Sequence, residues 1–105
     1  MKVYIDNKFY DIIGKLINWY YDANQEYINS NEITLTTETI SNLLFVKHDY
    51  EQAYNEDCSL IYFQINEHHI YYLVLAIEDA INYSTEINKN ELVELRTYLC
   101  DLDKR

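Results

Sequence analysis

Apolar residues along this chain fall into two short alternating runs and several long stretches of helical spacing. Lys2-Val3-Tyr4-Ile5 alternates polar with apolar, the period of a strand with one covered face, and Asp6-Asn7 closes it as a turn or cap pair. From Phe9 the period changes. Phe9, Ile12, Ile13, Leu16, Tyr20, Ala23 and Tyr27 recur at helical spacing, which predicts a helix of about five turns reaching Ile28. A second stripe, Tyr10, Ile17, Tyr21 and Ile28, runs beside the first with Trp19 between them. A helix this widely apolar either sits centrally or turns its second face to a partner, as in a homodimer through the residue 9–28 helix. Gly14 in its interior costs roughly 1 kcal/mol relative to alanine and leaves room for another backbone to approach.

Asn29-Ser30-Asn31-Glu32 reads as a loop, followed by a brief extension over Ile33 to Thr36. Thr36 or Thr37 then caps a second helix through Ile40, Leu43, Leu44, Val46 or Lys47, Tyr50 and Tyr54, with Glu38 near its positive end. Residues 59–65, Ser-Leu-Ile-Tyr-Phe-Gln-Ile, are β-branched and aromatic and of strand length, suited to pair with Lys2 to Ile5. Leu60, Phe63, Ile70, Val74, Ile77 and Ile81 also fit one long helix, so both readings stand at this point. Ile70 to Ile81 is the most apolar stretch. Its Ile70, Leu73, Val74, Ile77, Ala80 and Ile81 share a face and predict the centre of the core, in a helix over 68–83 that Ser84-Thr85-Glu86 interrupts. Asn88 or Asn90 caps a last helix through Leu92, Leu95, Leu99 and Leu102, with Lys104-Arg105 at its negative end.

The expected fold is therefore mainly α, a compact single domain (1–105) of about four helices, and α+β if residues 59–65 add a small two- or three-stranded sheet. Composition supports the helices, since one glycine and no proline leave few residues for hairpin turns. At 49% hydrophobic and 15% aromatic residues the chain can bury a core, so disorder is excluded despite the charge. Met1 to Ile5 lacks the apolar length of a signal peptide, and no apolar run reaches the length of a membrane span. A cytoplasmic location follows as an expectation, with Cys58 and Cys100 as free thiols.

Eighteen carboxylates against eight basic residues give a net charge of −10. Direct nucleic-acid binding and anionic membranes are disfavoured, and a basic protein surface is the partner that fits. Leu35 to Leu44 has some helix-turn-helix character, but Asp49, Glu51, Glu56 and Asp57 follow it, and phosphates would repel a recognition helix so charged.

No set of residues carries a reaction. His68 and His69 are adjacent rather than one helical turn apart, and neither cysteine lies in a Cys-x-x-Cys, so no metal or cofactor is expected. Ser30, Ser41, Ser59 and Ser84 lack an elbow motif, and the lone Gly14 cannot make a phosphate-cradling loop. Neighbouring carboxylates are unavoidable at this acidity and do not by themselves signal acid–base chemistry. The chain is read as a non-enzyme.

Excess acid can serve solubility alone. It can also complement charge: Asp49, Glu51, Glu56 and Asp57, then Glu78, Asp79 and Glu86, then Glu91, Glu94, Asp101 and Asp103 would present carboxylates interleaved with tyrosines. The twelve tyrosines exceed what a core of this size needs, and tyrosine suits interfaces. The candidate partner-binding set is Asp49, Tyr50, Glu51, Tyr54, Glu56, Asp57, Glu78, Asp79, Glu91 and Glu94.

In size, charge and absence of a chemical motif the chain looks like the small acidic inhibitors that phages and mobile elements encode against nucleases and host defences, anti-CRISPR and DNA-mimic proteins among them. That resemblance implies a non-enzymatic inhibitor that occludes a basic, nucleic-acid-handling surface. No residue motif carries it, so it assigns no site. An immunity protein or antitoxin against a basic toxin, or a structural or regulatory homo-oligomer, meets the same constraints.

Overall fold

The two alternating runs pair in the computed structural model, which describes residues 2–28, 34–56 and 61–103 apart from the side chains of Tyr27, Ile28 and Asp103. Strand β1 (Lys2–Asp6) lies antiparallel to β2 (Tyr62–Asn66), with Val3 opposite Ile65 and Ile5 opposite Phe63. Ile5, Phe63 and Ile65 turn inward and are buried, while Lys2, Tyr4, Tyr62 and Gln64 face outward. The strand reading of residues 59–65 thus holds from Tyr62, with Ser59 and Leu60 outside the described residues. The long-helix alternative falls because β1 supplies backbone partners that a helix here could not use. Among the described residues the sheet has two strands.

A 3-10 turn (Asn7–Phe9), capped by the Asp6 side chain accepting the Lys8 N–H at 2.9 Å, leads into α1 (Tyr10–Ala23). The helix stops at Ala23 rather than running unbroken to Ile28. Asn24 Nδ2 donates to the Tyr20 carbonyl at 2.8 Å, so a side chain takes up an acceptor at the helix end, and a short α2 (Gln25–Ile28) follows. The predicted loop at residues 29–32 and Ile33 lie outside the described residues.

Helix α3 (Leu35–Glu56) begins earlier than its spacing suggests. Thr34 and Thr37 each accept the other's N–H through the side-chain hydroxyl, at 3.2 and 2.8 Å, a reciprocal cap that puts the N-cap at Thr34 instead of Thr36 or Thr37. Leu35 and Thr36 are accordingly helical rather than extended. Asp57, Cys58, Lys104 and Arg105 lie outside the described residues.

Helix α4 (His69–Tyr83) packs against α1, α3 and α5 (Lys89–Asp103), which makes the Ile70–Ile81 stretch the centre of the core. Ile70, Leu73, Ala76, Ile77 and Ala80 are buried, with Val74 and Ile81 half-buried at the edge of the stripe. From α5, Leu92, Leu95 and Leu99 complete it. Ser84 ends α4 and its Oγ accepts the Ile87 N–H at 3.3 Å; Asn88, not Asn90, caps α5, accepting the N–H groups of Asn90 and Glu91 through Oδ1. Among the described residues the architecture is the expected one, four long helices with a small sheet. Among the described residues no helix is long and apolar enough to cross a membrane.

Two neighbours take up the wide apolar girth of α1, which packs against both α3 and α4. Ile12, Ile13, Leu16, Ile17 and Tyr20 are buried, and Tyr10, from the second stripe, meets Tyr50, Tyr54 and Phe63 on α3 and β2. Gly14 admits a side chain here rather than another backbone: a Cβ at this position would lie 2.9 Å from the Tyr50 hydroxyl oxygen. Tyr50 has little room to retreat, since its ring sits 4.8 Å from Tyr10 and 5.5 Å from Phe63. Two effects then oppose each other in Gly14→Ala, a helix-propensity gain of up to about 1 kcal/mol and the displacement of a buried ring. The expected result is a net loss on the wild-type background and a net gain on a Tyr50→Phe background, where the obstructing oxygen is gone. Urea denaturation of the four proteins of that cycle reads the difference directly.

Candidate functional site

The residues singled out by charge and spacing do not come together. Tyr50 is 1% exposed and belongs to the core, which corrects its assignment to a binding surface. Tyr54, one helical turn on, is 37% exposed and its ring lies 4.6 Å from that of Tyr10. Desolvation first, and then the nearby Glu51, Tyr54 and Asp11, raise the Tyr10 phenol above its ordinary value, so Glu51 and Tyr54 do share one neighbourhood. Glu56 is exposed near the end of α3, Asp49 is half-buried, and Asp57 lies outside the described residues.

The other acidic residues sit on different elements, and two of them are already paired. Glu78 accepts from Arg96 at 3.0 Å, and Glu94 accepts from Lys8 at 3.1 Å. Glu91 and Glu94 border a small cleft that also contains Lys8 and Lys15, so basic residues offset the charge there. Asp79 is exposed overall, yet its carboxyl lies above the usual range, through desolvation first and the adjacent Glu78 second. Among the described residues these positions are thus spread over three helices, with Glu78 and Glu94 already ion-paired.

A different concavity gathers tyrosines and acids. Alternation along the strands sends Lys2, Tyr4 and Asp6 outward from β1, and Tyr62 outward from β2 across from Asp6. Leucine spacing along α5 buries Leu95 and Leu99 and leaves Tyr98, Asp101 and Leu102 beside β1. Glu67, from the turn into α4, and Ile70, in the first turn of α4, close the end of a groove of about 550 Å³. A second groove of about 580 Å³ shares Glu67 and Ile70 and continues past His68, Tyr71 and Val74 to Cys100. Tyr4, Tyr62 and Tyr71 are 59%, 51% and 57% exposed, a degree that core packing does not require.

This wall chemistry suits a cation carried on an apolar stem. Phenol rings attract a guanidinium or ammonium over their faces, and carboxylates accept its hydrogen bonds. Asp101 belongs to the acidic residues that sequence reading grouped with Glu91 and Glu94, but Tyr4, Tyr62 and Tyr98 went unnoticed. Outward tyrosines on a strand look like ordinary alternation, and nothing in the order of the chain places α5 beside β1.

Two histidines stand at the α4 N-terminus, where His68 also lines the second groove. Asn42 Nδ2 donates to the Glu38 carbonyl at 2.8 Å, which turns Asn42 Oδ1 toward His69 Nδ1 at 2.9 Å, so the imidazole carries its proton on Nδ1 and donates. The His68 and His69 rings are 4.1 Å apart between centroids, although adjacent helical positions are set about 100° apart. Among the described residues no three His, Cys, Asp or Glu side chains are grouped to hold a metal ion.

Burial first, and His68 second, hold His69 below its ordinary value. The unfolded chain thus binds the extra proton more readily than the fold does. Stability from this residue is fully present above the unfolded value of about 6.5 and is lost as pH falls through it toward the lower folded value. Thermal melts between about pH 7.5 and 5 should show that decline in the wild type and a smaller one in His69→Gln.

Comparison with protein-family models, with curated proteins and with solved structures gives no match.

Proposed function

We propose that this protein is a non-enzymatic binding protein that occludes a basic surface of another protein, one that handles nucleic acid. The observation that carries this reading is the groove between β1 and α5, where Tyr4, Tyr62 and Tyr98 meet Asp6, Glu67 and Asp101, with Lys2 as the one basic residue of its lining among the described residues. Carboxylates steer a cationic partner over long range, and tyrosines hold it at short range. The contact thus moves from the α3 and α5 acids favoured by sequence to the sheet side of the molecule, while the class of partner stays the same. An inhibitor acting in a host cytoplasm, of the type that phages and mobile elements direct against nucleases and defence systems, is the form of function most consistent with the net charge of −10.

Affinity capture with tagged protein, followed by mass spectrometry and repeated with Asp101→Lys, tests the reading. The expected partner carries a lysine- and arginine-rich surface, is eluted by moderate salt and is captured in smaller amount by the variant. A partner that binds independently of salt and of Asp101 would overturn it.

A further inference from the structure

The geometry of the β1 edge points to a mode of binding: an extended, lysine- or arginine-bearing segment of the basic partner adds beside β1 as a third strand, parallel to it. This deepens the reading above and rests on it for the partner's charge. The phase of the sheet ladder shows which edge is open. Asn7 N–H bonds the Ile61 carbonyl at 2.8 Å in continuation of the β1–β2 register, so Val3, Ile5 and Asn7 direct their backbone groups at β2. Lys2, Tyr4 and Asp6 must then direct theirs to the other side, along the groove beside α5.

One group from outside the sheet occupies that edge. The Tyr98 hydroxyl accepts the Asp6 N–H at 3.0 Å and donates to the Tyr4 carbonyl at 3.4 Å. A single residue of a parallel neighbouring strand makes this same pair of bonds, accepting from residue i+1 and donating to residue i−1, here around Ile5. The hydroxyl therefore stands in for one strand residue. The next equivalent pair, the Lys2 carbonyl and the Tyr4 N–H, has no protein partner among the described residues. Native sheets protect such edges with charge, proline or a covering element, and Tyr98, whose ring rests 4.6 Å from that of Phe9, is the cover here. Charge complementarity selects the occupant, because Asp6 and Asp101 border the edge while Lys2 stands at its start.

The probe is the acetylated, amidated peptide Lys-Val-Lys-Val-Lys-Val, titrated into the full chain by NMR at low salt. A copy N-methylated at alternate residues has the same charge but lacks the donors a ladder needs. The unmodified peptide should bind, protect the Tyr4 amide from exchange at least tenfold and bind several-fold more tightly to Tyr98→Phe, which has no hydroxyl to displace. The methylated copy should bind at least tenfold more weakly. A spin label on the peptide N-terminus should broaden Lys2 and Val3 rather than Asp6 and Asn7. Equal, salt-sensitive binding of both peptides would overturn strand addition while leaving the basic-partner reading in place, and broadening at Asp6 would overturn the parallel direction. Failure of the unmodified peptide to bind would also overturn strand addition, leaving the partner's identity to the capture experiment.

Discussion

Tyr50→Ala should lose about 3–5 kcal/mol of stability, the range for truncating a large buried aromatic residue, whereas Tyr54→Ala should lose about 1 kcal/mol or less, in the usual range for exposed sites. Both residues lie on α3 one turn apart, and both touch Tyr10. They differ in surroundings. Tyr50 is closed in by Tyr10, Phe63 and the bare backbone of Gly14, and burial pushes its phenol well above the ordinary value. Each aromatic pair adds about 0.5–1.5 kcal/mol beyond the area it buries, and truncation leaves a cavity where the ring sat. Against a total of about 5–15 kcal/mol for a domain, the Tyr50 loss would leave the variant largely unfolded at modest urea. Equal denaturation midpoints for the two variants would contradict the packing of α3 against β2.

The second large effect concerns binding at the groove. Tyr62→Ala should speed dissociation from the captured partner about thirtyfold, the equivalent of the roughly 2 kcal/mol lost with a hot-spot aromatic residue. Asp101→Lys should mainly slow association, and that slowing should fade at high salt, where charge is screened over a few ångströms. Glu78→Lys and Glu94→Lys serve as controls of similar charge change. Each breaks a surface ion pair worth about 0.2–1 kcal/mol of stability, but lies away from the groove and should leave the dissociation rate unchanged. Surface plasmon resonance separates the two rates; loss of binding in the controls with retention in Tyr62→Ala would return the contact to the α4 and α5 acids.

Local order along the chain was enough to determine much of the fold. Helical period in α1, α3, α4 and α5 depends only on which residues share a face, so the Leu73–Ile77 and Leu92–Leu95–Leu99 stripes were legible without any knowledge of their neighbours. The same holds for the alternation in β1 and for the interruption at Ser84. Ends of elements were less legible, because a cap depends on which of several nearby threonines or asparagines reaches a free N–H or carbonyl, and Thr34, Asn24 and Asn88 were settled by the backbone path.

Tertiary structure decided the rest, wherever the deciding neighbour is distant in sequence. Residues 62–66 are a strand because β1 offers a ladder, a fact held some sixty residues away. Tyr50 is core and Tyr54 is surface because α3 runs past the end of the core, which no periodicity within α3 records. Gly14 is needed for a tyrosine hydroxyl that arrives from another helix. The candidate site is the extreme case: Tyr4, Tyr62 and Tyr98 are separated by long stretches of chain and meet only because α5 returns alongside β1. Composition could determine that this protein carries surplus acid and surplus tyrosine, but the meeting of the two in one groove follows from the packing of α5 beside the sheet.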